Sequence, residues 1–239
     1  RGRDIKRYQA EFTDLWLIAT FPALNLDINR YPAVRDYLLT FGKRLHQTGK
    51  EYIDEHGVKQ KTRKATGNKW FETQDQIAYY EEFEKEKIIW AELARTGNSF
   101  YLDQDNYYSL AGTFILTMSD AESNDYSHKY LTAMLNHPTT LISLEFVYSK
   151  LDVTGWQWKK EPFLKIPIPR ASKKDQEPII ACFDNLMSSP QDQRFAQLAQ
   201  LNYEIFRNLG FTNQEIIHTF TKLTVFRKEQ EYFEKYLLT

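Results

Sequence analysis

The stretch "RKATGNKWFETQDQIAYYEEFEKEKIIWAEL", Arg63 to Leu93, joins two different kinds of sequence. It opens basic and polar, with Gly67 and the aromatic pair Trp70 and Phe71. It ends in "KIIWAEL", Lys87 to Leu93, whose isoleucines and tryptophan favour a β-strand. The stretch therefore predicts a stiff strand directly behind a positively charged surface loop.

The flanking patterns predict further elements. Short β-rich runs suggest a hairpin at the start and two later strands, and apolar residues at a spacing of three and four predict helices. We expect strands at 5–9, 14–21, 87–93, 99–102 and 113–118, a mobile loop at 50–69, and helices at 32–49, 126–137, 140–150, 174–187, 190–209 and 212–236. Together these predict a mixed fold of the α/β (α+β) class, with a mostly antiparallel sheet and packed helices, followed by a helical C-terminal extension. We place the domains at 1–170 and 171–239.

Composition points to a folded protein with one basic region. Of the 239 residues, 26% are charged and 15% are aromatic, and the net charge is −1. Residues 1–70 carry 14 basic and 8 acidic side chains, a local charge of +6. The opening "RGRDIKRYQ" has no initiator methionine, so we expect the chain to be part of a longer protein. The sequence contains neither a signal-peptide pattern nor an apolar run of membrane-spanning length, which predicts a cytoplasmic protein without membrane contact.

Motifs for catalysis are missing from the sequence. Five scattered histidines and the single cysteine, Cys182, give no metal-ligand spacing. No nucleophile elbow, P-loop or dinucleotide-binding glycine motif occurs. We therefore predict no catalytic, metal or cofactor-binding residue in this chain.

Two basic and aromatic segments are candidates for nucleic-acid binding. In Lys59–Trp70, five basic residues occur without an acidic one, a pattern suited to phosphate contacts. Neutral hydrogen-bonding side chains of the kind that read base edges surround them, namely Thr62, Thr66, Asn68, Gln74 and Gln76. The second segment, "GWQWKKEPF" from Gly155, repeats the pattern. An ordinary solvated loop for the first segment, and core tryptophans for the second, are the alternatives.

Five motifs occur in an order that resembles a known family. They are "RGRDIKRY", "LIATFP", "YPAVRDYLLTFGKRL", the opening stretch itself, and "FLKIPIP". Over residues 1–170 the chain resembles the TaqI-like C-terminal specificity domain, the target recognition domain of adenine-specific DNA methyltransferases and type IIG restriction-modification enzymes. Residues 171–239 match nothing familiar.

The resemblance implies a division of labour within a larger enzyme. A separate N-terminal methyltransferase domain of the same chain would bind S-adenosylmethionine and the flipped adenine, and a nuclease could accompany it. The present chain would bind double-stranded DNA and carry no cofactor. The residues that we expect to contact DNA are Arg1, Arg3, Lys6, Arg7, Lys59, Lys61, Arg63, Lys64, Asn68, Lys69, Trp70, Gln74, Trp156, Lys159 and Lys160.

Two other functions remain open at this point. The chain could be a specificity subunit of a type I restriction-modification system, whose helices recruit separate catalytic subunits. An independent enzyme is disfavoured because no set of residues suggests chemistry.

Overall fold

The computed structural model describes residues 1–94, 97–145, 150–152, 155–223 and 226–236. The chain forms two compact units. Unit 1 consists of residues 1–13 and 83–239, and unit 2 consists of residues 14–82. The N-terminal segment therefore belongs to the same unit as the C-terminal helices.

The elements of both units follow in chain order. The strands are β1 (Ile5–Lys6), β2 (Gln9–Ala10), β3 (Glu51–Ile53), β4 (Lys59–Lys61), β5 (Lys87–Ala91), β6 (Leu93–Ala94), β7 (Phe100–Asp103), β8 (Thr113–Leu116), β9 (Lys150–Asp152) and β10 (Gly155–Gln157). The α-helices are α1 (Pro32–Leu39), α2 (Asp120–Asp125), α3 (His128–Asn136), α4 (Pro138–Glu145), α5 (Lys160–Phe163), α6 (Lys173–Ser188), α7 (Arg194–Asn208), α8 (Asn213–Thr221) and α9 (Arg227–Tyr236). Short 3₁₀ turns lie at Gly2–Asp4, Pro22–Leu24, Ile28–Arg30, Gly42–Leu45 and Tyr80–Glu84.

The described residues of unit 1 contain two three-stranded antiparallel sheets besides the two-stranded pair of β1 and β2. Strand β5 pairs with β7 on one side and with β8 on the other, and β10 pairs with β6 and β9. All five residues of β5 are buried, and the four that follow Lys87 are apolar or aromatic. The predicted mixed fold, with antiparallel sheets, packed helices and a helical C-terminal region, is confirmed.

The core of unit 1 draws on residues from both sides of residue 170. Trp90 of β5 stacks on Phe163 with ring centroids 4.3 Å apart. Phe183 and Phe206, from α6 and α7, are buried in the same cluster. The C-terminal helices and the sheet therefore share one core. The predicted division at residue 170, into a DNA target recognition domain and a helical extension, stays a prediction.

A buried ion pair fixes the loop after β7. Lys87 and Asp103 form a salt bridge, and both side chains are completely buried. Lys87 also donates to the Phe83 carbonyl oxygen at 2.5 Å, while Asp103 accepts from the backbone N–H groups of Asp105 and Tyr107. These additional hydrogen bonds offset the cost of removing two charges from water.

The stretch 50–69, predicted as a mobile loop, contains two short strands in unit 2, so the loop prediction is wrong for residues 51–53 and 59–61. β3 and β4 form an antiparallel hairpin whose turn is closed by Asp54, which accepts from the backbone N–H groups of His56 and Val58. The predicted helix at 32–49 ends earlier, at Leu39. Gly42, the first residue of the 3₁₀ turn, adopts a φ of +53°, which a right-handed α-helix cannot contain, so the helix cannot continue through this position.

The predicted first hairpin is also placed differently. Residues Asp14 to Phe21 form no strand, and Leu15, Trp16 and Leu17 are exposed. The hairpin instead pairs Ile5 with Ala10, because Tyr8 adopts a φ of +60° and turns the chain within two residues.

The described residues of the C-terminal region form four helices, α6 to α9, where three were expected. Gly210, with a φ of +79°, separates α7 from α8 as predicted. The third predicted helix is interrupted after Thr221, and residues 224–225 lie outside the described part of the chain, as do 146–149 of the helix expected at 140–150. Among the described residues, no helix combines the length and the apolar character needed to cross a bilayer.

Candidate DNA interface

The loop at residues 62–76 of unit 2, which we call the Arg63 loop, is built around the Arg63 side chain. Its guanidinium donates to the Leu45 carbonyl oxygen at 2.9 and 2.6 Å, to that of Trp70 at 2.6 Å, and to that of Glu72 at 2.8 Å. Burial lowers the pKa of Arg63 from its usual value, but an arginine remains protonated at neutral pH. One half-buried cation thus joins three points of the backbone.

Gln47 fixes the same loop from a second direction. Its buried amide donates to the carbonyl oxygens of Lys69, at 3.1 Å, and Glu72, at 2.8 Å, and it accepts from the Thr66 hydroxyl at 2.6 Å. Asn68 donates to the carbonyl oxygens of Thr73 and Gln74, at 2.9 and 3.0 Å. The loop therefore has an internal set of hydrogen bonds rather than free backbone groups.

A cleft opens on the outer side of this loop. It has a volume of about 360 Å³ and is lined by Arg63, Lys64, Thr66, Thr73, Gln74 and Asp75. The side chains of Lys64 and Gln74 are exposed. The Lys64 cation and the Gln74 amide at this cleft can donate hydrogen bonds to an anionic ligand, whereas the Asp75 carboxylate can only accept them.

The surroundings of the loop are basic. Residues 43–69 contain eight basic and three acidic side chains, a local charge of +5. The acidic side chains lie on the β3–β4 hairpin, where Glu51 pairs with Lys59 at 2.7 Å. The positive charge is therefore concentrated on Lys61, Lys64 and the residues that precede β3.

In unit 1, the β1–β2 hairpin carries a second group of cations. Arg3 and Lys6 are exposed, and the Lys6 ammonium donates to the Arg3 carbonyl oxygen at 2.8 Å. Arg1 pairs with the buried Asp4 at 2.8 Å, and this hydrogen bond lowers the pKa of the Asp4 carboxyl. Arg3 and Lys6 thus face solvent, whereas Arg1 forms an internal ion pair with Asp4.

The sequence model of the TaqI-like C-terminal specificity domain matches residues 1–168, more than two thirds of the chain. The chain belongs to this family. It is a DNA-sequence specificity domain of the kind found in restriction-modification enzymes. No curated protein matches the chain.

The structure divides the predicted contact residues of the specificity domain into two groups. Exposed side chains belong to Arg3, Lys6, Lys59, Lys61, Lys64, Lys69, Gln74, Lys159 and Lys160. Partly or largely buried side chains belong to Arg1, Arg7, Arg63, Asn68, Trp70 and Trp156. DNA contact by either group stays a prediction, and the geometry favours the exposed group.

The second group has internal partners that explain its burial. Besides Arg63 and Asn68, Arg7 donates to the Asn136 carbonyl oxygen at 3.1 Å and pairs with Glu229 at 2.5 Å. Trp70 packs edge to face on Phe71 with ring centroids 5.6 Å apart. These contacts account for the limited exposure of Arg7 and Trp70.

The second predicted segment, which begins at Gly155, also contains both buried and exposed side chains. Trp158 is buried in the core, with its ring edge to face on Phe100 at 5.0 Å, while Trp156 is half-buried on β10. Lys159 and Lys160 are exposed at the start of α5. Trp158 is thus a core residue, whereas Lys159 and Lys160 face solvent.

The sequence did not reveal two features of the specificity domain. Gln47 supports the loop from fifteen or more residues away, and no local pattern marks such a role. Lys43 and Arg44 add exposed charge to unit 2; the charge count over residues 1–70 included them, but the candidate segment was drawn from Lys59 onward. Within the described ranges, no three side chains of the histidine, cysteine or carboxylate types form a group able to hold a metal ion.

Proposed function

We propose that the specificity domain binds duplex DNA through the outer face of the Arg63 loop and directs adenine-N6 methylation by a catalytic domain of the same protein. The observation that carries this proposal is the rigid loop, in which Arg63 and Gln47 hold the backbone while Lys64 and Gln74 remain exposed. A surface that distinguishes bases must be held still, because small displacements remove hydrogen bonds.

Phosphate contacts would supply most of the affinity. Lys61 and Lys64 are exposed and lie within a segment of net charge +5. Each lysine that neutralises a phosphate releases counterions, so binding weakens as salt rises. These contacts would set the register of the domain on the duplex without reading sequence.

Base reading would fall to the neutral side chains at the cleft. A glutamine amide can bond both N6 and N7 of adenine in the major groove, and Gln74 has an exposed amide on a fixed loop. Asn68 uses its amide hydrogens on two backbone carbonyl oxygens, so its role is to shape the loop.

The catalytic domain would supply S-adenosylmethionine and the adenine pocket. Moving an adenine out of the duplex costs a few kcal/mol, and contacts from both domains would offset that cost. The specificity domain would thus contribute to turnover without touching the reacting atoms. The sequence that precedes Arg1 in the encoding gene tests this point, because a separate reading frame for the methyltransferase would favour the type I subunit.

The combined variant Lys61→Glu with Lys64→Glu is expected to bind a duplex of mixed sequence about tenfold more weakly. The slope of log K against log salt should become shallower by about two, since each lost phosphate contact removes about one unit. Fluorescence anisotropy titrations at several salt concentrations measure both quantities. A matched control is Lys173→Glu with Lys222→Glu, which reverses two exposed charges on the C-terminal helices. An equal loss in both double variants would contradict the assignment of the loop to the phosphates.

The variant Gln74→Ala is expected to change base preference rather than general affinity. Loss of a bidentate contact should reduce discrimination at one base pair by on the order of 1 kcal/mol. Selection from a random duplex library, followed by sequencing, measures preference at each position. The control is Gln60→Ala, whose exposed amide contacts Asp54 on the β3–β4 hairpin. An unchanged preference profile for Gln74→Ala would exclude this residue from base reading.

A further inference from the structure

The turn of the β1–β2 hairpin is anchored in helices that lie far along the chain. Arg7 pairs with Glu229 of α9 at 2.5 Å and donates to the Asn202 side-chain oxygen of α7 at 3.4 Å. Asn202 in turn donates to Glu229 at 2.5 Å, so the carboxylate bridges both partners. The Arg7 guanidinium also lies 4.7 Å from the ring centre of Phe226.

Tyr8 adds a second set of attachments. Its side chain is 2% exposed and its ring packs edge to face on Phe183 of α6, with centroids 5.9 Å apart. Its hydroxyl donates to the Ala133 carbonyl oxygen at 3.4 Å, and its own carbonyl oxygen accepts from Arg194 of α7 at 3.0 Å. These contacts hold Tyr8 at a φ of +60°, which an isolated tyrosine rarely adopts.

The other end of the hairpin is fixed by close packing on the sheet. A Cβ atom on Gly2 would lie 3.2 Å from the Cβ atom of Ala91 and 3.3 Å from the carbonyl oxygen of Gly112. Glu11 donates its backbone N–H to the Asp4 carbonyl oxygen at 2.9 Å. Between these two fixed ends, Arg3 and Lys6 are exposed.

We propose that the C-terminal helices position the basic face of the N-terminal hairpin for DNA, with Glu229 as the positioning residue. The anchor residues Phe183, Arg194, Asn202 and Glu229 all lie beyond residue 168, where the family match ends. The extension thus completes a surface that the matched region begins. The DNA part of this inference rests on the proposed function, whereas the anchoring part does not.

Amide hydrogen exchange of the whole chain tests the anchoring part. In Glu229→Gln, the exchange of the hairpin amides at residues 5–10 should accelerate at least about tenfold, while β5 and β7 keep their protection. The matched control is Glu231→Gln, which removes an exposed carboxylate 3.5 Å from Arg227 on the same helix. Arg194→Ala is a second variant that removes the Tyr8 attachment and should also accelerate the hairpin amides. Unchanged hairpin protection, or an equal loss in β5, would overturn the proposal.

DNA binding provides the second measurement. The salt slope on a duplex of mixed sequence should become shallower by about one to two in Glu229→Gln and stay unchanged in Glu231→Gln. A general loss of folded protein would lower the bound fraction without changing this slope. If the unaltered chain bound no DNA, the proposed function would be wrong. The exchange measurement would still show whether Glu229 anchors the hairpin. Faster hairpin exchange with an unchanged slope would refute the link between the anchor and DNA.

Discussion

Replacement of Arg63 by methionine is expected to lower the free energy of unfolding of unit 2 by about 3 kcal/mol. Methionine preserves much of the side-chain length, but it leaves the carbonyl oxygens of Leu45, Trp70 and Glu72 without their shared donor. Amide exchange across residues 43–76 measures the effect. Duplex binding should weaken as well, because the exposed side chains would no longer be held in one arrangement.

The adjacent residue supplies a matched control for that experiment. Lys64 is exposed, so Lys64→Met should change the stability of unit 2 by no more than about 0.5 kcal/mol while it still weakens DNA binding. The two variants thus distinguish a residue that supports the loop from a residue that contacts DNA. Equal stability of Arg63→Met and Lys64→Met would show that the internal hydrogen bonds do not organise the loop.

Acidification is expected to destabilise unit 1 through His137. This residue is fully buried, and burial lowers its pKa from 6.5 to about 3. Its Nδ1 accepts from the Thr139 backbone N–H at 3.3 Å, so the single ring proton lies on Nε2 and is donated to the Asn202 carbonyl oxygen at 3.2 Å. The nearby Arg7 cation also disfavours a charged imidazole.

The sign of the effect follows from the direction of this pKa shift. The unfolded chain binds the proton more tightly, so the stabilising contribution is complete above about pH 6.5 and is lost as the pH falls toward 3. Between pH 7 and 5 the free energy of unfolding should fall by about 2 kcal/mol from this group. Urea denaturation at both pH values measures the loss.

His137→Gln should be much less sensitive to pH over the same range, since glutamine does not titrate. Its matched control is His56→Gln at the tip of the β3–β4 hairpin, where the side chain is exposed. If the free energy of unfolding of His137→Gln still fell between pH 7 and 5, the pH dependence would belong to other groups. One of these is His128, whose pKa is also lowered by burial.

The fold could be predicted where local sequence patterns coincide with the final packing. The strand at Lys87 and the helix breaks at Pro190 and Gly210 were found because β-rich composition, proline and glycine act locally. The strand expected at 14–21 was wrong because an apolar run forms a strand only when a neighbouring strand pairs with it.

The candidate site was predicted as a segment but not residue by residue. Charge density located Lys59–Trp70, yet it could not separate Lys64 from Arg63, which have the same charge and adjacent positions. Their roles differ because the Arg63 side chain faces the carbonyl oxygens of residues 45, 70 and 72, whereas the Lys64 side chain is exposed. Convergence of this kind depends on tertiary structure and leaves no local trace in the sequence.

Every hydrogen bond that Arg63 donates ends on a main-chain oxygen. Main-chain oxygens are present whatever side chain a position carries, so the loop can keep its shape while its outward residues are exchanged. Such a loop is a favourable starting point for changing the preferred DNA sequence, either during evolution or in a library randomised at positions 64 and 74. Substitutions could then accumulate at these two outward positions with little loss of stability.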